Sequence, residues 1–228
     1  MAEVTGFEIV SDQRFGEGGF LRLRRTHLRN LHADGTRSRE YLCDFVERPK
    51  GLDAVALVIW TRAGGRPRVL VRACLRPPIQ LGRPGHEVPL DEPPGRPLLN
   101  PEVVAGLLEP GDRGEAGIRR RAAMEALEET GHRVAPEAIE ILGAPSMPVP
   151  GLLPERHFYT AVEVARPEPD GTPVGDGSPM EDGARVTWVD LDQAVAMCVR
   201  GEIEDTKTEV ALRRLRDRLG DYGGPDSR

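Results

Sequence analysis

Proline and glycine govern residues 77 to 101, where eleven of the positions are one or the other: Pro77, Pro78, Gly82, Pro84, Gly85, Pro89, Pro93, Pro94, Gly95, Pro97 and Pro101. Proline removes a backbone donor and clashes with the preceding turn, so no helix is expected to run through this stretch. A second such stretch spans residues 166 to 183, with Pro167, Pro169, Gly171, Pro173, Gly175, Gly177 and Pro179. Both read as excursion loops, and no internal repeat is visible along the chain. They fit short elements packed around a sheet, with the loops free to border a site.

Between these breaks the apolar pattern is legible. Residues 20–24 and 41–45 alternate, joined by turn-like residues 30–35, and read as a small antiparallel sheet. Residues 54–61 form an unbroken apolar run, expected as a strand buried on both faces, and residues 68–73 form the next strand after the turn at 63–67. Strands are expected at 158–164 and 185–189. Helices are expected at 191–200, stopped by Gly201, and from about Thr206 to Leu219, where Thr206 and Glu209 have capping-box spacing. The order mixes strands and helices without βαβ alternation, which predicts an α+β fold. The expected organisation is a β subdomain at residues 1–50, a main domain at 51–220 and a loose tail at 221–228.

Bulk properties exclude some functions. A formal charge of -6 and a pI near 5.5 disfavour a nucleic-acid binder, which needs basic surface to displace counterions. The longest clean apolar run, 54–60, is far short of the roughly 18 residues a membrane span needs. Three cysteines without pairing or ligand spacing suit a reducing compartment. A soluble cytoplasmic protein is expected.

Chemistry concentrates at residues 115–131. This is a helix pattern closed by Gly131, whose residue type suits a left-handed C-terminal position. At 100° per residue, Ala116, Ala123, Ala126, Leu127 and Thr130 gather on one side, and Glu125, Glu128 and Glu129 on the other. Three carboxylates at i, i+3 and i+4 repel one another, and the helix dipole penalises them further near the C-terminus. A solvated acidic face is one reading. A site for a hard divalent cation is the other, since closely spaced oxygen ligands suit Mg²⁺ bridging to phosphates.

With the strand before it, the helix resembles the Nudix box, G-x5-E-x7-R-E-U-x-E-E-x-G-U with U aliphatic, through Gly106, Glu125, Glu128, Glu129 and Gly131. Two departures stand beside the match. Met124 occupies the box arginine position, and the interval from Gly106 to Glu125 is four residues longer than the pattern, with Asp112 or Glu115 as stand-ins for the first box glutamate. In the family that arginine braces the loop through the first glutamate, so Arg120 or Arg121 is expected to take over the bracing.

The likeness extends to the ADP-ribose pyrophosphatase branch. Residues 102–106 are similar to E-L-P-A-G, 76–78 to R-P-P, 148–156 to S-P-G-x-x-x-E-R, and 201–208 to G-x-I-x-D-x-K-T. What the resemblance implies is a Nudix fold, a mixed sheet between helices, with a small N-terminal antiparallel sheet that crosses to a second subunit in a homodimer. It implies Mg²⁺, with Mn²⁺ as the other option, held by Glu125, Glu128, Glu129 and the backbone carbonyl of Ala105. Glu155 and Glu129 compete as general base, and Arg76, Glu102 and Phe20 contact substrate. The expected reaction is hydrolysis of the diphosphate in a nucleoside diphosphate linked to a second group, with ADP-ribose giving AMP and ribose 5-phosphate as the best guess. Other nucleotide sugars or dinucleotides, and a non-catalytic nucleotide-binding regulator, are the alternatives.

Overall fold

The computed structural model describes residues 3–49, 51–82, 97–175, 177–181 and 183–220. The proposed tail at 221–228, and the part of the first proline-rich stretch from 83 to 96, lie outside the described residues. Contacts divide the chain into two compact units: Met1–Asp53 with Ser146–Arg156, and Ala54–Pro145 with His157–Arg228.

The first unit is a three-stranded antiparallel sheet of β1 (Val4–Phe15), β2 (Arg22–His32) and β3 (Tyr41–Glu47), in that order. The expected hairpin is there, and its turn is closed by the Thr36 amide donating to Asp34 Oδ1 at 2.9 Å. The sequence reading missed β1. Cross-strand ion pairs stiffen the sheet, with Arg24 between Asp12 (2.9 Å) and Glu47 (3.0 Å), and Arg25 on Asp44 at 2.6 Å. The segment Ser146–Arg156 joins this unit, where the Val46 amide donates to the Leu152 carbonyl at 2.8 Å.

The second unit is a mixed sheet covered on both faces. Its central strand, β4 (Ala54–Thr61), is buried at every position, as its unbroken apolar run predicts. Alternation then divides its side chains. Val55, Leu57 and Ile59 pack with Ile118, Ala122 and Ala126 of helix α2 (Gly114–Thr130). Ala56, Val58 and Trp60 pack with Leu191, Ala194 and Val195 of α3 (Leu191–Val199) and Ala211, Leu212 and Leu215 of α4 (Thr206–Gly220). Each fully buried aliphatic side chain contributes about 1.5–3 kcal/mol relative to exposure, so β4 anchors both layers.

β4 runs parallel to β9 (His157–Glu163) on one side. On the other it pairs antiparallel with β5 (Arg68–Leu75) at Trp60 and Thr61, and with β7 (Val104–Leu107) from Ala54 to Leu57. β5 pairs with β10 (Arg185–Asp190) and, towards its end, with β6 (Leu99–Glu102). β8 (Glu140–Ile141) completes the sheet beside β9. β4 and β5 thus share only one end of their length, and β6 and β7 enter where they part.

Three local expectations are revised. A short helix, α1 (Pro77–Gly82), opens the first proline-rich stretch, because prolines in a first turn sacrifice only amides that have no helical partner. The cap of α4 is Asp205 rather than Thr206: its carboxylate accepts from the Thr208 amide at 3.0 Å and from the Thr208 hydroxyl. The buried face of α2 is Gly117, Ile118, Arg121, Ala122, Ala126 and Thr130, while Ala116 is exposed. Among the described residues no helix is long and apolar enough to cross a membrane.

Candidate active site

Small residues bring α2 close to the parting of β4 and β5. Gly106 on β7 is the closest approach: a Cβ built there would lie 1.8 Å from Glu125 Oε1, so only glycine leaves room for that carboxylate. Glu125 and Glu129, one turn apart, have side chains 13% and 12% exposed. They lie on the inward flank of the helix and not on the side opposite its buried face, which corrects the helical-wheel expectation. The wheel misplaced the face because it counted apolar residues, whereas this flank is buried through ion pairs.

Glu129 is held from two directions. Arg72 on β5 gives its Nη1 to Glu129 Oε1 at 3.1 Å, and the Ala105 amide reaches Glu129 Oε2 at 3.4 Å. Burial pushes the Glu129 carboxyl up to about 8, with the Glu125 and Glu102 charges adding to the rise and Arg72 opposing it. Arg72 also pairs with Glu181 at 2.8 Å. Glu181, in the 3₁₀ turn Pro179–Glu181, and Arg72 were not identified from the sequence. A charged residue inside the apolar pattern of β5 is a usable signal for Arg72. Glu181 sits in a proline- and glycine-rich loop with no motif around it.

Arg72, Glu128, Glu129, Val174, Ser178 and Glu181 line an open cleft of about 400 Å³. The second proline-rich loop makes its outer wall and is tied to the end of α2. Amides of Asp170 and Gly171 donate to the Gly131 carbonyl at 3.0 and 3.1 Å, and the Gly175 amide donates to the Glu128 carbonyl at 2.9 Å. Gly131 takes φ 74°, and a Cβ on it would meet the Gly171 carbonyl at 2.1 Å.

Beside the cleft lies a second charged group. Glu102 on β6, 4% exposed, pairs with Arg76 and, at 2.5 Å, with Lys207, and accepts from the Cys74 thiol at 2.6 Å. Lys207 also meets Asp205 at 2.9 Å. Burial pushes the Cys74 thiol up to about 12, and the Glu102 charge adds to it, so this sulfur is not a nucleophile. The residues drawn from the R-P-P, E-L-P-A-G and D-x-K-T likenesses therefore meet in one cluster.

Glu155 and Phe20 belong to the N-terminal unit. There Glu155 pairs with Arg48 at 2.8 Å, and the Arg48 guanidinium stands over the Phe20 ring, 5.2 Å from its centroid.

The bracing expected of Arg120 or Arg121 falls to Arg121. Buried in α2, it reaches Asp112 at 2.9 Å, Glu109 at 3.0 Å and Glu125 at 3.9 Å. Asp112 also accepts from the Glu109 amide at 3.0 Å. Burial opposes charge on Asp112, but that amide and Arg121 outweigh it and hold the carboxyl below its usual range. Of the two stand-ins for the first box glutamate, Asp112 is in place, while Glu115 is exposed and pairs with Arg119. Arg121 lies three positions before the box arginine, nearly one helical turn, so it meets the longer loop on the same flank.

The donor set here is hard oxygen: two buried glutamates, Glu128 at the cleft, and the β7 backbone at the glycine notch. That chemistry fits Mg²⁺ or Mn²⁺. Among the described residues, however, no three acidic, His or Cys side chains are gathered as they stand into a metal-holding group. Glu129 and Glu125 are turned to arginines.

No known family profile matches the sequence, and no curated protein matches it. Solved structures do. An ADP compounds hydrolase aligns with TM-score 0.66 and 13% identity over 98% of this chain and 99% of its own. A C. elegans Ap4A hydrolase in a binary complex aligns with TM-score 0.46 and 14% identity over 75% of this chain and 98% of its own. The NUDIX domain of Shewanella oneidensis NrtR, complexed with ADP ribose, gives TM-score 0.44 and 16% identity over 74% and 88%. The first alignment, nearly complete for both chains, fixes the architecture. The chain has the Nudix fold, with the mixed sheet between helices and the small antiparallel sheet that its sequence led one to expect.

Two outcomes follow from the charges. Arg121→Ala leaves the half-buried Asp112 without its cation and lowers stability by about 2 kcal/mol, a fall of roughly 4–8 °C in Tm; Arg120→Ala, at an exposed position, leaves Tm unchanged, as thermal melts will report. Because the Glu129 carboxyl rises from 4.5 to about 8 on folding, the native state keeps a proton that the unfolded chain loses. Metal-free protein in EDTA should therefore lose stability as pH rises between about 4.5 and 8. Glu129→Gln should remove that slope.

Proposed function

We propose that this protein is a Nudix hydrolase that uses Mg²⁺, with Mn²⁺ as a substitute, to cleave the diphosphate of a nucleoside diphosphate linked to a second group. ADP-ribose, giving AMP and ribose 5-phosphate, is the preferred substrate. The observation that carries this reading is a pair of largely buried carboxylates one helical turn apart, Glu125 seated against the Gly106 notch and Glu129 at the Ala105 amide on the edge of a polar cleft. A solvated acidic face would have left them exposed.

Glu125, Glu128, Glu129 and the Ala105 carbonyl would hold the cation. Bound there, it would neutralise charge on the diphosphate oxygens and make a water more acidic. The chain's own groups do the remaining work. Glu129, whose burial favours the protonated form, is poised to take the proton of the attacking water once cation charge lowers its affinity for its own. Glu181, which lines the same cleft from the second proline-rich loop, is a further acceptor, and Glu155 remains a candidate base. Water oxygen adds to one phosphorus, the bridging P–O bond breaks, and the departing phosphate keeps that oxygen. Arg76, side chain 38% exposed and fixed by Glu102, presents guanidinium donors to phosphate oxygens.

Phe20 would contact the nucleoside, and the N-terminal sheet, with Phe7, Ile9 and Leu42 exposed, would pair two copies in a homodimer. Cys43, Cys74 and Cys198 are free thiols, in keeping with a cytoplasmic setting. Met124 at the box arginine position and the longer interval before Glu125 favour a second reading, a nucleotide-binding regulator without turnover.

ADP-ribose incubated with and without Mg²⁺ separates the two, with AMP followed by chromatography. Wild type should release AMP only with metal. Gly106→Ala, by evicting the Glu125 carboxylate, and Glu129→Gln should each lower kcat at least 100-fold. Metal-independent release would defeat the metal role, and a Glu129→Gln variant as fast as wild type would defeat the site assigned here; ADP-ribose binding by calorimetry without turnover would establish the regulator.

A further inference from the structure

Arg72 is the least exposed charged residue in the cleft, at 4%, and its bonding is incomplete. Nη1 and Nη2 serve Glu129 and Glu181, while the buried Nε has no hydrogen-bond partner. Desolvating a guanidinium N–H without an acceptor costs free energy, and the group lines the cavity in which an acceptor would sit. Arg72 also holds the very carboxylate the metal reading needs. A divalent cation and a guanidinium cannot both sit against the same glutamate oxygens in a buried site without strong mutual repulsion.

We propose that Arg72 is an exchangeable internal cation. It occupies the Glu129 carboxyl while no metal is bound, yields that group to a divalent cation, and turns the released guanidinium edge to an oxygen of the substrate's diphosphate. The second half rests on the hydrolase reading above; the first does not. The exchange leaves neither group without a partner: the cation takes the guanidinium's place beside Glu129, and the incoming diphosphate brings the negative charge that Arg72 then meets.

The test uses the full chain and no turnover. Mn²⁺ is titrated into substrate-free wild type and Arg72→Gln, with free Mn²⁺ read by electron paramagnetic resonance. Removing the competing cation should tighten Mn²⁺ about tenfold, whereas a merely structural ion pair would leave affinity unchanged or weaken it. In the presence of saturating Mn²⁺, a non-hydrolysable methylene analogue of ADP-ribose should bind wild type at least tenfold more tightly than Arg72→Gln. Arg72→Lys, which keeps the charge but loses the fork, should retain wild-type Mn²⁺ affinity and share the loss of analogue binding.

Should Arg72→Gln not fold, nuclear magnetic resonance of the Nε–H signal in wild type, assigned by its disappearance in Arg72→Lys, decides the matter. Mg²⁺ alone should shift it, and the analogue should shift it again. Unchanged Mn²⁺ affinity in a folded Arg72→Gln, no Mn²⁺ binding by wild type, or an Nε–H signal indifferent to Mg²⁺ would each overturn the exchange. A protein that shows the exchange yet cleaves no diphosphate would refute only the hydrolase reading, and one that cleaves ADP-ribose with Arg72→Gln behaving as wild type would refute only Arg72.

Discussion

Negative charge buried beside a helix is the condition around which the second unit is arranged. Glu125, Glu129 and Glu102 lie close enough for two of them to raise the proton affinity of the third, and the C-terminal half of α2 adds its own unfavourable dipole. No amount of aliphatic packing offsets that. The compensation comes from cations delivered by separate elements: Arg72 from β5, Arg121 from α2 itself, Arg76 after β5, and Lys207 from the start of α4. These pairs tie together the elements they come from. Strand order, loop bracing and the seating of α4 are linked to one electrostatic problem.

The solution explains the departures from the usual motif. With Met124 half-exposed where the pattern has arginine, the longer loop before α2 is gathered instead by Arg121 onto Asp112 and Glu109. The side chain has moved nearly one turn back along the helix, and its acidic partner has moved with it. A motif read as letters registers two mismatches. Read as a contact, it registers one displaced ion pair on an unchanged flank.

What the sequence disclosed depended on how local the cause was. β4 was legible because eight consecutive buried residues leave little choice of conformation, and α3 because its apolar spacing and the Gly201 stop lie within a dozen positions. The charged cluster at Glu102 was signalled in pieces, through three short likenesses far apart in the chain. The inward face of α2 was misjudged, since its flank is buried by partners on β5 and in the preceding loop that no window over the helix contains. Arg72 and Glu181 stayed hidden for the same reason: they are 109 positions apart and acquire meaning only when β5 and the second proline-rich loop meet. β1 was overlooked because ion pairs, more than apolar alternation, bind it to its neighbours.

The ties between that loop and the end of α2 bear on how such a protein diversifies. Three amides from residues 170–175 cap carbonyls of the helix that carries the glutamates, and Gly131 faces Gly171 too closely for any side chain. The near half of the loop is therefore part of the helix's scaffold, and insertions there would tilt the carboxylates. The far part, around Ser178 and Glu181, lines the cavity without donating to the helix carbonyls in this way. Substitutions in that outer arc change what lines the cavity while the inner arc keeps the helix end capped, so a single loop divides into a scaffold and a rim.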